Sequence, residues 1–205
     1  LFVAAPLVAG HGHVTSPIAR SPGDAFKANC GAQLYSQQTS DINGNLQGEM
    51  QVAAGQADYN PAKCNLNLCK GFQFADNTAN VESYTAGQKV PISVVIAAPH
   101  TGRMNVSVVD LASNTPIGDP LIYDGDYASN SHTIPANNTA FSITMPDVAS
   151  QCAEAGKCAL QWWWDATSIN QTYESCIDFT MGGSGSAAGS SPAASSSAAV
   201  PASSS

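Results

Sequence analysis

Only four histidines occur in the 205 residues of this chain, and two of them stand together as His11 and His13 in the stretch "GHGHV". The block ahead of them, "LFVAAPLVAG", has the length of a secretory h-region and ends in small residues that suit signal-peptidase cleavage. Cleavage after Gly10 would give His11 a free α-amine. The amine nitrogen and Nδ1 of one histidine close a six-membered chelate on a metal ion. An α-amine titrating at about 7.7–8.0 offers its neutral form at mild pH. One further imidazole completes a T-shaped set of three nitrogens. Such a set favours copper, because divalent copper tops the affinity order and prefers tetragonal nitrogen ligation.

Three residues compete for the second imidazole. His13 belongs to a His-Gly-His run, which chelates copper as a loose peptide only if backbone amides are deprotonated. Entry of the following residues into a strand or packed loop would remove that freedom. His100 follows the most strongly patterned strand, in "AAPHTG". A ligand at a strand-to-loop corner is held by a rigid scaffold. His132 lies in the polar stretch "SNSHTI" and reads as a solvated loop residue.

The elements that must position these groups are legible mainly in the second half. "KVPISVVIAA" places Val90, Ile92, Val94 and Ile96 at period two. "MNVSVVDL" repeats the pattern with Met104, Val106 and Val108, and "TAFSITMP", "CALQWWWDA" and "YESCIDFTM" follow between turn residues. The spacing predicts an all-β chain folded as an immunoglobulin/fibronectin-III-like β-sandwich. Residues 15–85 are rich in Gly, Asn, Gln, Asp and Ala, and predict long loops with one or two short helices, held by the disulfides. Residues 182–205 hold Gly, Ser, Ala and Pro with one Val, a composition that cannot bury a core. Three parts are therefore expected: a signal-peptide remnant at 1–10, one folded domain at 11–181, and a linker or stalk at 182–205.

Six cysteines behind a signal-like start imply an oxidising compartment and a disulfide framework. Spacing suggests Cys64–Cys69 and Cys152–Cys158 as local pairs, which leaves Cys30 for Cys176. Sequons at Asn105, Asn137 and Asn170 fit a secreted glycoprotein. With a net charge of −8 and seven Lys or Arg, the chain is a poor partner for nucleic acid or an anionic membrane, and the charge leaves an uncharged ligand such as a neutral polysaccharide open. The acidic residues are scattered, and no carboxylate pair for glycoside hydrolysis stands out. Alternation along a strand turns at least one of Trp162, Trp163 and Trp164 inward, which favours core packing over sugar stacking. Arg20, Tyr35 and Tyr59 are candidates for a flat binding surface.

These motifs together resemble the fungal lytic polysaccharide monooxygenases. "HGHVTSPIARSPG" is similar to their mature N-terminus. "APHTG" is similar to their second-histidine segment, with Ala98 two residues ahead of His100 as in the chitin- and cellulose-active members. "QTYESCIDF" is similar to their last-strand motif, which puts Tyr173 at the axial position of the metal and Gln171 at the place of a hydrogen-bonding glutamine. "CKGFQFADN" and "LQWWWDA" add to a likeness that spans 11–181 and is nearest to auxiliary activity family sixteen.

The resemblance implies one copper ion, cycling between Cu(II) and Cu(I), held by the His11 amine, His11 Nδ1 and His100, an arrangement known as a histidine brace. It implies Tyr173 as axial neighbour and Gln171 as donor to the oxygen co-substrate. The activity implied is oxidative cleavage of glycosidic bonds by O2 or H2O2 and an external electron donor, with hydrogen abstracted at C1 or C4. Cellulose is the first expected substrate, then chitin or a hemicellulose. The donor would be a small reductant or cellobiose dehydrogenase, and the protein a secreted monomer, with cell-surface anchoring open. Some members carry a supporting histidine before the last-strand motif; by order only His132 could supply it, and otherwise Gln171, Gln161 or Glu174 would. The alternative is a non-catalytic brace protein in fungal copper uptake or cell-wall biology. That group typically adds an aspartate to the copper, so Tyr173 favours the enzyme. A plain carbohydrate-binding module would have lost His11 or His100.

Overall fold

The computed structural model describes residues 11–182, with His11 described by its backbone alone. The expected signal remnant, and all but the first residue of the expected stalk, lie outside the described residues. In chain order come β1 (His11–Ser16), helices α1 (Asp24–Cys30), α2 (Ala32–Ser40) and α3 (Leu46–Gly55), then β2 (Glu82–Tyr84), β3 (Lys89–Ala98) and β4 (Gly102–Asp110). After these come β5 (Thr115–Pro116), β6 (Ile122–Tyr127), the single turn α4 (Ala136–Thr139), β7 (Ala140–Thr144), β8 (Cys158–Ala166) and β9 (Gln171–Met181). A three-stranded sheet, β1-β3-β7, faces a larger one ordered β2-β9-β8-β4-β5, with β6 also paired to β4.

The period-two pattern decides this layering. Along β3, Val90, Ile92 and Val94 are buried while Lys89, Pro91, Ser93 and Val95 are exposed. Along β4, Met104, Val106 and Val108 turn into the same core, where Trp162, Trp164, Tyr173, Ile177 and Phe179 meet them from β8 and β9. The expected β-sandwich is the fold observed. The sequence reading of residues 15–85 was sparser than the structure, which folds three helices there around Phe26, Leu34, Leu66 and Phe72.

This helical lobe sits on the outer face of β9 through buried polar contacts. Arg20 grips Asp178 with Nε and Nη2, both at 2.7 Å, and donates from Nη1 to the Phe72 carbonyl. Arg20 is therefore a buried structural clamp and no part of a binding surface. Tyr35 and Tyr59 pack at the margin of the lobe's own core, and Tyr59 donates to the Cys64 carbonyl.

Lys70 Nζ donates to the carbonyls of Ile42 and Gly44 and lies 3.1 Å from the Glu49 carboxylate. Burial pushes the Glu49 carboxyl up to about 7, against the pull of Lys70. The unfolded carboxyl ionises near 4.5 and the folded one near 7. Stability tied to the protonated form is thus complete below 4.5 and is lost as pH rises towards 7, by a few kcal/mol at most. Glu49→Gln should reduce this slope, leaving the part carried by the buried Glu174, whose carboxyl burial likewise pushes up to about 7. Urea midpoints of the copper-free proteins at acidic and neutral pH measure it, and an unchanged slope would show that Glu49 is ionised throughout.

The disulfides correct the sequence reading at two of three bridges. Cys152–Cys158 is present as expected. The others are Cys30–Cys64 and Cys69–Cys176, in place of Cys64–Cys69 and Cys30–Cys176. The reason is local: the segment between Cys64 and Cys69 crosses from the lobe to the sheet. Cys64 faces the lobe core beside Phe26 and Leu66, whereas Cys69 faces Val109, Ala159 and Cys176 behind the sheet. The Cys69–Cys176 bridge spans 107 residues and closes the longest loop, so in a chain-entropy account it stabilises by roughly 4–5 kcal/mol.

Candidate metal centre

β1 pairs antiparallel with β3, and this register sets His11 beside Ala98, two residues before His100. A bulge between His11 and Gly12 interrupts the ladder at that end. His100 is half-buried, with its Nε2 inside, in the short connection between β3 and β4. β9 contributes Tyr173 and Gln171, whose side chains share one face and meet in a hydrogen bond from the Tyr173 hydroxyl to Gln171 Oε1.

One indole gathers these strands. Tyr173 stacks on Trp164 with ring centroids 4.4 Å apart. A Cβ on Gly12, next to His11, would lie 3.2 Å from the Trp164 ring and 2.9 Å from the Val95 carbonyl. A Cβ on Gly102, two residues past His100, would lie 2.8 Å from Trp164 Nε1 and 2.5 Å from the Asp165 carbonyl. Only glycine lets both backbones approach so closely. The β1 start, the His100 loop and Tyr173 therefore converge on one buried side chain. Neither glycine was singled out from the sequence; an H-G start and an H-T-G corner are the signals that could have found them.

The other sequence candidates fall elsewhere. His13 is half-buried and its Nδ1 bonds Asn43 Oδ1 at 2.7 Å, while Gly12 N donates to the Asn43 carbonyl. With β1 ordered in this way, the loose peptide chelate has lost both its freedom and a backbone amide. His132 is exposed, paired to Asp126 at 3.1 Å and hydrogen-bonded to the Thr133 carbonyl. Gln161 and Glu174 bond each other at 2.5 Å. Strand alternation puts Glu174 on the face of β9 opposite to Tyr173, where it also accepts from the amides of Cys69 and Lys70. Each of these three has its hydrogen bonds with groups other than Tyr173 and Gln171. Cys69, Glu174 and Cys176 cluster closely enough to suggest a metal site, yet both sulfurs are committed to a disulfide.

The donor set brought to this end fits copper: imidazole nitrogen, the backbone nitrogen of His11 and a phenol. Burial pushes the Tyr173 hydroxyl above its ordinary value, so the copper-free protein holds it as a neutral phenol. The family profile for lytic polysaccharide mono-oxygenase, cellulose-degrading, matches residues 11–179. The chain belongs to this family. The enzyme is therefore a copper-dependent oxidoreductase that cleaves polysaccharides oxidatively.

Similar solved structures are found at low identity. An AA10 lytic polysaccharide monooxygenase from Streptomyces lividans is 16% identical, with a TM-score of 0.47 over 83% of this chain and 99% of that one. A chitin binding domain from Burkholderia pseudomallei is 15% identical, with a TM-score of 0.42 over 84% and 100%. A cellulose-active enzyme solved in complex with copper, CelS2, is 13% identical, with a TM-score of 0.41 over 85% and 100%. Comparison with curated proteins gives no match.

Beside Gln171 lies a depression of about 700 Å³ between α2, α3 and the start of β9. Gln33, Gln37, Asn45, Gln47, Gln51 and Asn170 line it, and no charged side chain does. Gln47 clamps its floor by exchanging two hydrogen bonds with Thr172, at 2.9 and 3.0 Å.

Proposed function

We propose that the amine and Nδ1 of a processed His11, together with His100, hold one copper ion at this end of the sandwich, and that cellulose is the substrate. Copper supplies one-electron redox chemistry towards O2 or H2O2. The chain's own residues supply order around it. Tyr173 would stand beside the metal as a neutral phenol, its ring fixed by stacking on Trp164. Because the Tyr173 hydroxyl donates to Gln171 Oε1, the Gln171 amide keeps its N–H donors for the oxygen co-substrate. Convergence on Trp164 is the observation that carries this assignment, since it brings three strands that are distant in sequence to one point.

The amide-lined depression favours an uncharged, hydroxyl-rich chain, because neutral amides can donate to and accept from sugar hydroxyls. Cellulose suits it, with chitin or a hemicellulose next. The motifs at His11, His100 and Tyr173 support placement in auxiliary activity family sixteen and a fungal source. The reading extends to a secreted monomer fed by a small reductant or cellobiose dehydrogenase. In it, residues 1–10 are removed, 11–181 form the catalytic domain, and the tail serves as a stalk that could anchor it at a cell surface. Three disulfides fit an extracellular protein.

The test is product analysis. Copper-loaded processed protein with ascorbate should release oxidised oligosaccharides from cellulose, read by mass spectrometry, with the mass and derivatisation pattern separating C1 from C4 oxidation. Oxidised products from chitin or xylan but none from cellulose would overturn the substrate assignment.

A further inference from the structure

A second recess, of about 530 Å³, opens on the outer face of the larger sheet and shares no lining residue with the brace end. Alternation makes its floor. With Trp162 and Trp164 turned into the core, Trp163 faces outward. Gln161 stands on the same side of β8, and Asn105 lies directly across the β4–β8 ladder from Trp163, with Ser107 beyond it. Asn67 and Asn114 wall the recess.

In a chain of net charge −8 no residue lining this recess is charged. Internal bonds fix the amides. Ser107 Oγ donates to Asn105 Oδ1 at 3.2 Å, Gln161 Nε2 donates to Glu174, and Asn114 Nδ2 donates to the Asn67 carbonyl. Asn105 thereby keeps its two Nδ2–H donors for a ligand, and Gln161 its Oε1 acceptor. An indole face flanked by oriented neutral amides matches a pyranose ring, whose C–H face packs on aromatic carbon while its hydroxyls both donate and accept. A charged ligand would find no counter-charge here, and the volume is that of a small-molecule site.

We propose that this recess is a non-catalytic saccharide-binding site that holds a neutral β-linked chain away from the copper end. The inference rests on the reading that the substrate is a neutral polysaccharide, yet it needs no copper, so the two can fail separately. The sequon Asn105-Val106-Ser107 lies on the same floor, and a glycan attached there would fill the recess from within.

Trp162 and Trp164 are 1% and 0% exposed, so acrylamide quenching of tryptophan fluorescence reports on Trp163. Copper-free protein is titrated with cellohexaose, xylohexaose and chitohexaose, with an oligogalacturonate as charged control. At least one neutral hexasaccharide should protect the fluorescence, and the charged one should not. Protection should persist in His100→Ala. Trp163→Leu should lose both the quenchable component and retardation in polysaccharide-containing gels. Asn67→Ala, at an exposed position, should weaken protection several-fold while leaving Trp163 in place. Three results would each overturn the proposal: no protection by any neutral hexasaccharide, undiminished protection in Asn67→Ala, or a glycan found on Asn105 of the secreted protein that itself shields Trp163.

Discussion

His100→Ala is expected to abolish tight copper binding while leaving the sandwich folded. The residue sits in the short connection between β3 and β4, outside both strands, and no disulfide passes through it. Loss of one imidazole from a three-nitrogen set removes a ligand outright. The cost should therefore exceed the roughly 10–100-fold that changes to supporting partners bring. Titration calorimetry on the processed protein reads the affinity, and thermal melts of the copper-free form should move little. Oxidised products should vanish with the copper. Affinity unchanged in His100→Ala would mean that His11-Gly12-His13 binds copper as a peptide, against the order seen in β1. His13→Ala is the companion experiment: because His13 is spent on Asn43, it should leave affinity close to the parent's.

The second large effect lies in a single peptide bond. While Gly10 precedes it, the His11 nitrogen is an amide, whose lone pair is delocalised into the carbonyl. Hydrolysis after Gly10 turns it into an amine that titrates at about 7.7–8.0 and donates readily when neutral. A protein that begins at Gly10 should therefore bind copper on the order of 100-fold or more weakly than one that begins at His11, since a ligand and its chelate ring are lost together. Both forms can be prepared by proteolytic release from a tag and compared under identical conditions. Equal affinities would remove the amine from the site and with it the brace. Near neutrality, affinity of the processed form should also rise with pH as the amine loses its proton, because metal and proton compete for one nitrogen.

Much of this protein was legible in one dimension. Alternation in β3, β4 and β8 announced a sandwich, and it placed Val90, Ile92 and Val94 inside because a strand's side chains change face at every residue. The same rule required at least one of the three tryptophans to turn inward; the structure turns in Trp162 and Trp164 and leaves Trp163 outward. The chemistry of a histidine behind a cleavage-like block, and a second one at a strand corner, pointed to copper before any fold was known. Those inferences are local, resting on periodicity or on the chemistry of one residue, and local rules survive without the tertiary structure.

What spacing could not decide was anything that depends on which way a non-repeating segment runs. Cys64 and Cys69 are five residues apart and looked like partners, yet the chain between them passes from lobe to sheet and presents them to different cores. The lobe helices are short, and α3 buries a charged residue, Glu49, beside Lys70, so its apolar stripe is incomplete. Nor could the sequence rank Gln161 against Gln171, because the face Gln161 shares is set by the pairing of β8 with β9; Glu174, by contrast, is turned away from Tyr173 by alternation along β9 alone. The convergence of Gly12, Gly102 and Tyr173 on Trp164 is likewise a tertiary fact. The sequence by itself determined which residues could act as donors and which strands carry them; the packing of one indole against three chain segments decided that those segments meet.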